Sequence, residues 1–167
     1  LLLMWEKAWD FIRRAFTVIF AATIVIWFLQ HFDVRLNVVG EGSTDSLLAI
    51  IGTWIAPVFA PLGFGDWRVA TALLTGLMAK EAVISTLGVL MNVGANLGSA
   101  ALGGLFTLPS AVSFLVFCLL YTPCVAALAA LRRELGSGVK TVLVMISQCC
   151  VAWLAAFCVY ALIGVIL

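Results

Sequence analysis

Residues Arg68 to Asn92 read RVATALLTGLMAKEAVISTLGVLMN, an apolar run of membrane-spanning character with Lys80 and Glu81 near its middle. A charge at the centre of a bilayer costs about 2.5–3.5 kcal/mol on insertion scales, so such residues are kept with partners or along a polar path and mark function by default. Successive helical positions diverge by about 100°, given ~3.6 residues per turn. Lys80 and Glu81 are therefore not an ion pair with each other. Read as one helix, the segment puts Glu81 on a face with Met78, Ser85, Gly88 and Asn92. Lys80 shares its face with Leu73, Gly76, Leu77 and Ile84, and its partner is expected on another helix.

Outward from this segment the chain is of one kind. Hydrophobic residues make up 65% of the 167, charged residues 10%, and the net charge is +1. Mean hydropathy is +1.22. A soluble domain is nearer half apolar and a quarter charged. The expected fold class is all-α: a polytopic transmembrane helical bundle with broken or re-entrant helices, part of a larger permease. The near-neutral charge offers nothing to nucleic acid, and the principal partner is the lipid bilayer. The chain opens on three leucines without Met, and no cleavage site follows the first apolar run.

Taken in order, residues 1–15 form an amphipathic interfacial helix, with Trp5 and Trp9 on its apolar face. A transmembrane domain over 16–167 follows, with spans at about 16–30, 47–62, 68–92, 110–131 and 139–167. Residues 30–46 read as a polar loop. Pro57 and Pro61 interrupt 47–62, which is broken or re-entrant, because irregular backbone at membrane depth survives only under cover of protein or water. If 47–62 crosses, Arg13, Arg14, Arg68, Arg132, Arg133 and Lys140 share the cytoplasmic side; if it dips and returns, Arg132 and Arg133 fall outside. Asp66 is placed to cap the helix after the GFGDW turn. Pro123 breaks 110–131 and strips the Leu119 carbonyl of its usual donor. Cys124 follows directly, and a freed carbonyl beside a thiol suits a soft cation.

The other cysteines, Cys118, Cys149, Cys150 and Cys158, read as small hydrophobes in packing. No catalytic site is expected. A Cys124 nucleophile would need a base, and the one histidine, His31, lies outside the spans.

Three stretches carry a resemblance: WEKAWDFIRRAFTVIFAATIVIWFL at 5–29, APLGFGDWRVATALLTGLMAKEAVISTLG at 60–88, and FLVFCLLYTPCVAALAALRRELG at 114–136. In order and spacing they resemble the C-terminal, Gate-type membrane half of the ferrous iron transport protein B family. The resemblance implies GTP-dependent Fe²⁺ uptake across the bacterial inner membrane, with Fe²⁺ as transported substrate. GTP and Mg²⁺ would act only through an N-terminal G domain that this segment does not carry. It also implies a first membrane half, small cytoplasmic accessory proteins, and a possible homo-oligomer as partners. Cys124, in the YTPCVA motif, matches a suspected iron ligand, and Glu81 is the acid of the AKE motif. Lys80, Ser85, Met78, Pro123 and Tyr121 support that path. Two alternatives stand beside it: a scaffold or dimerisation half of the permease, and a nucleoside or other solute carrier of related fold.

Overall fold

A computed structural model of the chain describes residues 2–40, 42–78, 80, 82–91, 103–121 and 124–166. It contains α1 (Leu2–His31), α2 (Leu47–Phe59) with a 3-10 turn (Ala60–Leu62), α3 (Trp67–Thr75) and α4 (Ala82–Leu90), then α5 (Leu108–Leu120), α6 (Val125–Leu135) and α7 (Gly138–Ile166). Among the described residues the one β pairing is an isolated bridge between Phe32 and Val38.

The amphipathic segment and the first apolar run are one unbroken helix, α1, which extends through His31 into the stretch expected as loop. Nothing between Ala15 and Phe16 stops it, since neither proline nor glycine occurs from Leu1 to Val39. Its Trp5, Trp9, Phe16, Phe20 and Trp27 side chains are exposed, as on a helix that faces lipid. The Asp33 carboxylate then organises the connection, accepting from the backbone N–H of Arg35 at 2.6 Å and of Asn37 at 3.0 Å. The Asn37 amide, opposed by desolvation and aided by the Arg35 amide and the Asn37 side chain, holds the Asp33 carboxyl below its ordinary 3.8. A depressed carboxyl contributes order that is complete above the unfolded value and is lost as pH falls through the folded one. The amide resonances of Arg35 and Asn37 are thus expected to titrate together with a midpoint below 3.8. A midpoint at or above it would break the assignment.

Ser46 caps α2 by accepting from the Ala49 amide at 3.2 Å. Pro57 and Pro61 convert the end of α2 into the 3-10 turn, and Gly63 leaves it in a left-handed conformation at φ 81°. Only glycine serves there, because a Cβ would also overlap the Tyr160 ring. Asp66 then caps α3, accepting from the Arg68 amide at 2.7 Å, as its position predicts. The axis turns by 106° between Leu47–Leu62 and Trp67–Thr75, the geometry of a broken or re-entrant element.

Expected as one helix, residues 68–92 form two instead. α3 ends at Thr75, turns follow through Met78, and α4 begins at Ala82. The break falls at Gly76, a residue of weak helix propensity, just before the adjacent charges Lys80 and Glu81. α5 and α6 are likewise separate, bent by 41° about the expected proline; Pro123 itself lies outside the described residues. Among the described residues α7 alone is one continuous span long and apolar enough to cross, with mean hydropathy 2.3 over Gly138–Val165.

α5 lies along α7 through small residues. Ser110, Ser113, Ala152 and Ala156 are all buried, and the Ser113 hydroxyl donates to the Ala156 carbonyl at 2.9 Å. With no hydrophobic drive between helices in lipid, close packing of small residues and such bonds hold the pair together. At the centre an aromatic cluster locks the broken helices to α5. Phe64 stacks on Phe59 at 5.6 Å and meets Phe114 edge-on at 5.4 Å, and Phe117 stacks on Tyr121 at 5.5 Å.

Candidate functional site

The two helix breaks meet. The amide of Val125, first residue of α6, donates to the Leu77 carbonyl at 2.8 Å, joining the α5–α6 break to the α3–α4 break by main chain. Lys80 reaches across the same junction. Its ammonium donates to the Leu119 carbonyl at 3.1 Å and to the Tyr121 carbonyl at 3.3 Å, and lies 5.0 Å from the centroid of the Tyr121 ring. The Leu119 oxygen is the one that a proline at 123 deprives of its donor, so the break and its cation are matched. Lys80 does find its partners on another helix, and they are backbone oxygens.

Tyr121 fixes the geometry. It is buried, caps α5 through its amide to Phe117, and turns its hydroxyl to the Leu73 carbonyl at 3.5 Å. Gly76 lets this happen. A Cβ there would overlap the Val83 side chain and the Tyr121 hydroxyl. Across the break the Thr75 and Thr86 hydroxyls bond at 2.9 Å and tie α3 to α4.

Cys124 stands half-buried at the N-cap of α6, its side chain making no capping bond. Cys124 thus sits at the positive end of a helix, one residue before the amide that reaches Leu77. Glu81 lies outside the described residues. The shared face of Glu81, Met78 and Ser85 assumed an unbroken helix. Met78 belongs instead to the turn after α3, whereas Ser85 is exposed on α4. Among the described residues no three His, Cys, Asp or Glu side chains come together as a metal cluster.

Two cavities flank the junction's helices. One, about 250 Å³, is lined without charge by Gln30, Ser46, Thr71, Ser85 and Thr86. The other, about 930 Å³, lies among α1, α6 and the start of α7, with Asp10, Arg13, Arg132, Arg133 and Glu134 in its wall. Sequence reasoning missed both, because each draws on segments far apart in the chain. The larger one brings Arg13 into the same lining as Arg132 and Arg133.

Broken helices converging within an apolar helical bundle define a helical membrane protein of the discontinuous-helix kind. A family model described as Gate, nucleoside recognition, matches residues 12–138, and the chain belongs to that family. Over 93% of its length the chain is 34% identical to the Fe(2+) transporter FeoB of Staphylococcus aureus (strain MSSA476), covering 23% of that protein. It is 36% identical to the Fe(2+) transporter FeoB of Methanocaldococcus jannaschii over 79% of its own length and 20% of the relative. A Porphyromonas gingivalis protein named as an Fe(2+) transport protein A/Fe(2+) transporter FeoB fusion is 29% identical over 94% of the chain and 24% of the relative. The chain thus spans about a quarter of the length of the curated relatives it matches. No solved structure matches it.

Proposed function

We propose that this chain is a membrane-permease segment of a GTP-dependent ferrous iron uptake transporter, with Cys124 and Glu81 lining the path of Fe²⁺. The observation that carries the reading is the junction of two helix breaks, with a thiol at one and a charged pair in the sequence of the other. Discontinuous helices are where transporters hold ions, through unwound carbonyls and half-helix ends. Fe²⁺ accepts thiolate and carboxylate ligands. A small donor set would bind loosely enough to release, as transport requires. The names of the relatives support iron as cargo. The supporting residues are Lys80, Pro123 and Tyr121 at the junction, with Ser85 and Met78 beside it.

On this reading the protein sits in the bacterial inner membrane. GTP and Mg²⁺ act through an N-terminal G domain of the same polypeptide, and small cytoplasmic accessory proteins assist it. The fused relative supports such an accessory partner. The domain plan is an interfacial N-terminal portion over 1–15 and a Gate-type domain over 16–167. The description of the family model favours one second reading, a carrier of nucleosides or another solute.

The test is radioactive Fe²⁺ uptake by cells carrying the full-length protein, with Cys124→Ser and Glu81→Gln at matched membrane abundance. Loss of uptake by at least tenfold in either variant, with GTP hydrolysis intact, is the expected result. Full uptake in both would remove the ligand assignment and favour a scaffold role. Nucleoside uptake abolished in place of iron uptake would favour the second reading.

A further inference from the structure

Among the described residues the Lys80 ammonium meets backbone oxygens and an aromatic face. Two backbone carbonyls lie 3.1 and 3.3 Å from Nζ, and the π face of Tyr121 lies 5.0 Å away. Among the described residues no carboxylate is within ion-pair reach of it. Among the described residues its charge is met by backbone dipoles and a ring quadrupole. Oxygen dipoles of this kind replace the hydration shell of an ion in channel filters. An aromatic face is a general receptor for cations, ammonium groups included.

The acceptors are fixed and the donor is movable. Tyr121 is 4% exposed and wedged between Phe117 and Gly76, so its carbonyl and ring cannot swing away. The Leu119 carbonyl belongs to the last turn of α5, where the helix no longer supplies a donor. Lys80 is exposed and hangs on a flexible four-carbon stem from the loop between α3 and α4. The Leu119 and Leu120 side chains are 77% and 44% exposed, so the site opens at the edge of the bundle rather than within its core.

We propose that the Leu119 and Tyr121 carbonyls, with the Tyr121 ring, form a cation-binding site in which the Lys80 ammonium is a tethered occupant. A small free cation, alkylammonium or alkali metal, takes the same place when Lys80 withdraws. This site goes beyond the thiol and carboxylate assigned to iron, and it stands whatever the cargo.

The experiment is thermal unfolding of the full-length protein in detergent, titrated with methylammonium chloride or choline chloride at matched ionic strength. Lys80→Ala is expected to show a saturable rise in midpoint of about 2–4 °C with methylammonium and none with bulky choline. The wild type is expected to respond equally to both, its site being filled. Lys80→Arg should keep wild-type stability, and Lys80→Gln, which offers neutral donors, should fall below it. Equal responses of Lys80→Ala to the two salts would overturn the proposal. So would a Lys80→Gln variant as stable as the wild type, since a hydrogen-bond donor would then suffice without charge. If Lys80→Ala does not fold, Lys80→Gln is titrated in its place. A methylammonium-specific rise supports the site, and its absence overturns it.

Discussion

Replacing Tyr121 with Ala is expected to destabilise the bundle by about 3–5 kcal/mol, the range for removing a large aromatic from a packed core. Tyr121 is 4% exposed and stacks on Phe117 at 5.5 Å with the rings 18° apart. Its loss opens a cavity between α3 and α5 and removes the face over which Lys80 lies. Tyr121→Phe separates ring from hydroxyl. The hydroxyl contact to Leu73 is 3.5 Å, at the limit of a hydrogen bond, so Phe is expected to cost no more than about 1 kcal/mol. Unfolding midpoints of the purified variants, read beside membrane abundance, check both. An Ala variant within about 1 kcal/mol of wild type would mean that the ring does not fill the junction.

Gly76→Val should be nearly as damaging, for the opposite reason. Gly76 has φ −63° and ψ −15°, a conformation open to every residue, so its backbone does not demand glycine. What demands it is space: any Cβ meets the Val83 side chain and the Tyr121 hydroxyl. Overpacking costs about 1–3 kcal/mol and occasionally more. Gly76→Ala separates the two effects. At an unstrained, open site Gly→Ala stabilises by about 0.4–1 kcal/mol through the unfolded chain. The crowding at Gly76 reverses that sign, and Ala is expected to destabilise, with Val worse than Ala. A stabilised Ala variant would show that α4 and Tyr121 relax away from the break, and that their contact does not hold the junction.

Local physics explains which features were legible in the chain. The cap at Asp66, the irregular end of α2 and the break before Cys124 follow from side-chain oxygens, missing amide protons and helix sterics. These act within four residues and need no knowledge of the partner. The same reasoning failed over 68–92. Hydropathy there is uniform enough for one span, and a single glycine costs only about 1 kcal/mol in a helix. The break holds because contacts made after folding outweigh the lost helical bonds: the Leu77 carbonyl finds the Val125 amide, Thr75 finds Thr86, and Lys80 finds the end of α5.

By itself, then, the sequence determined a helical membrane protein, the place of the proline-linked breaks, and two candidate charges with a thiol. Composition and local sterics are enough for those conclusions. Only the tertiary structure decided that Lys80 bonds to the Leu119 and Tyr121 carbonyls, that two breaks form one junction, and that Arg13 lines one cavity with Arg132 and Arg133. The bonds that make the junction join residues about 40 to 50 positions apart, as from Lys80 to Leu119 and from Leu77 to Val125. They arise because backbone groups freed by a break must find donors and acceptors inside the protein when lipid offers none.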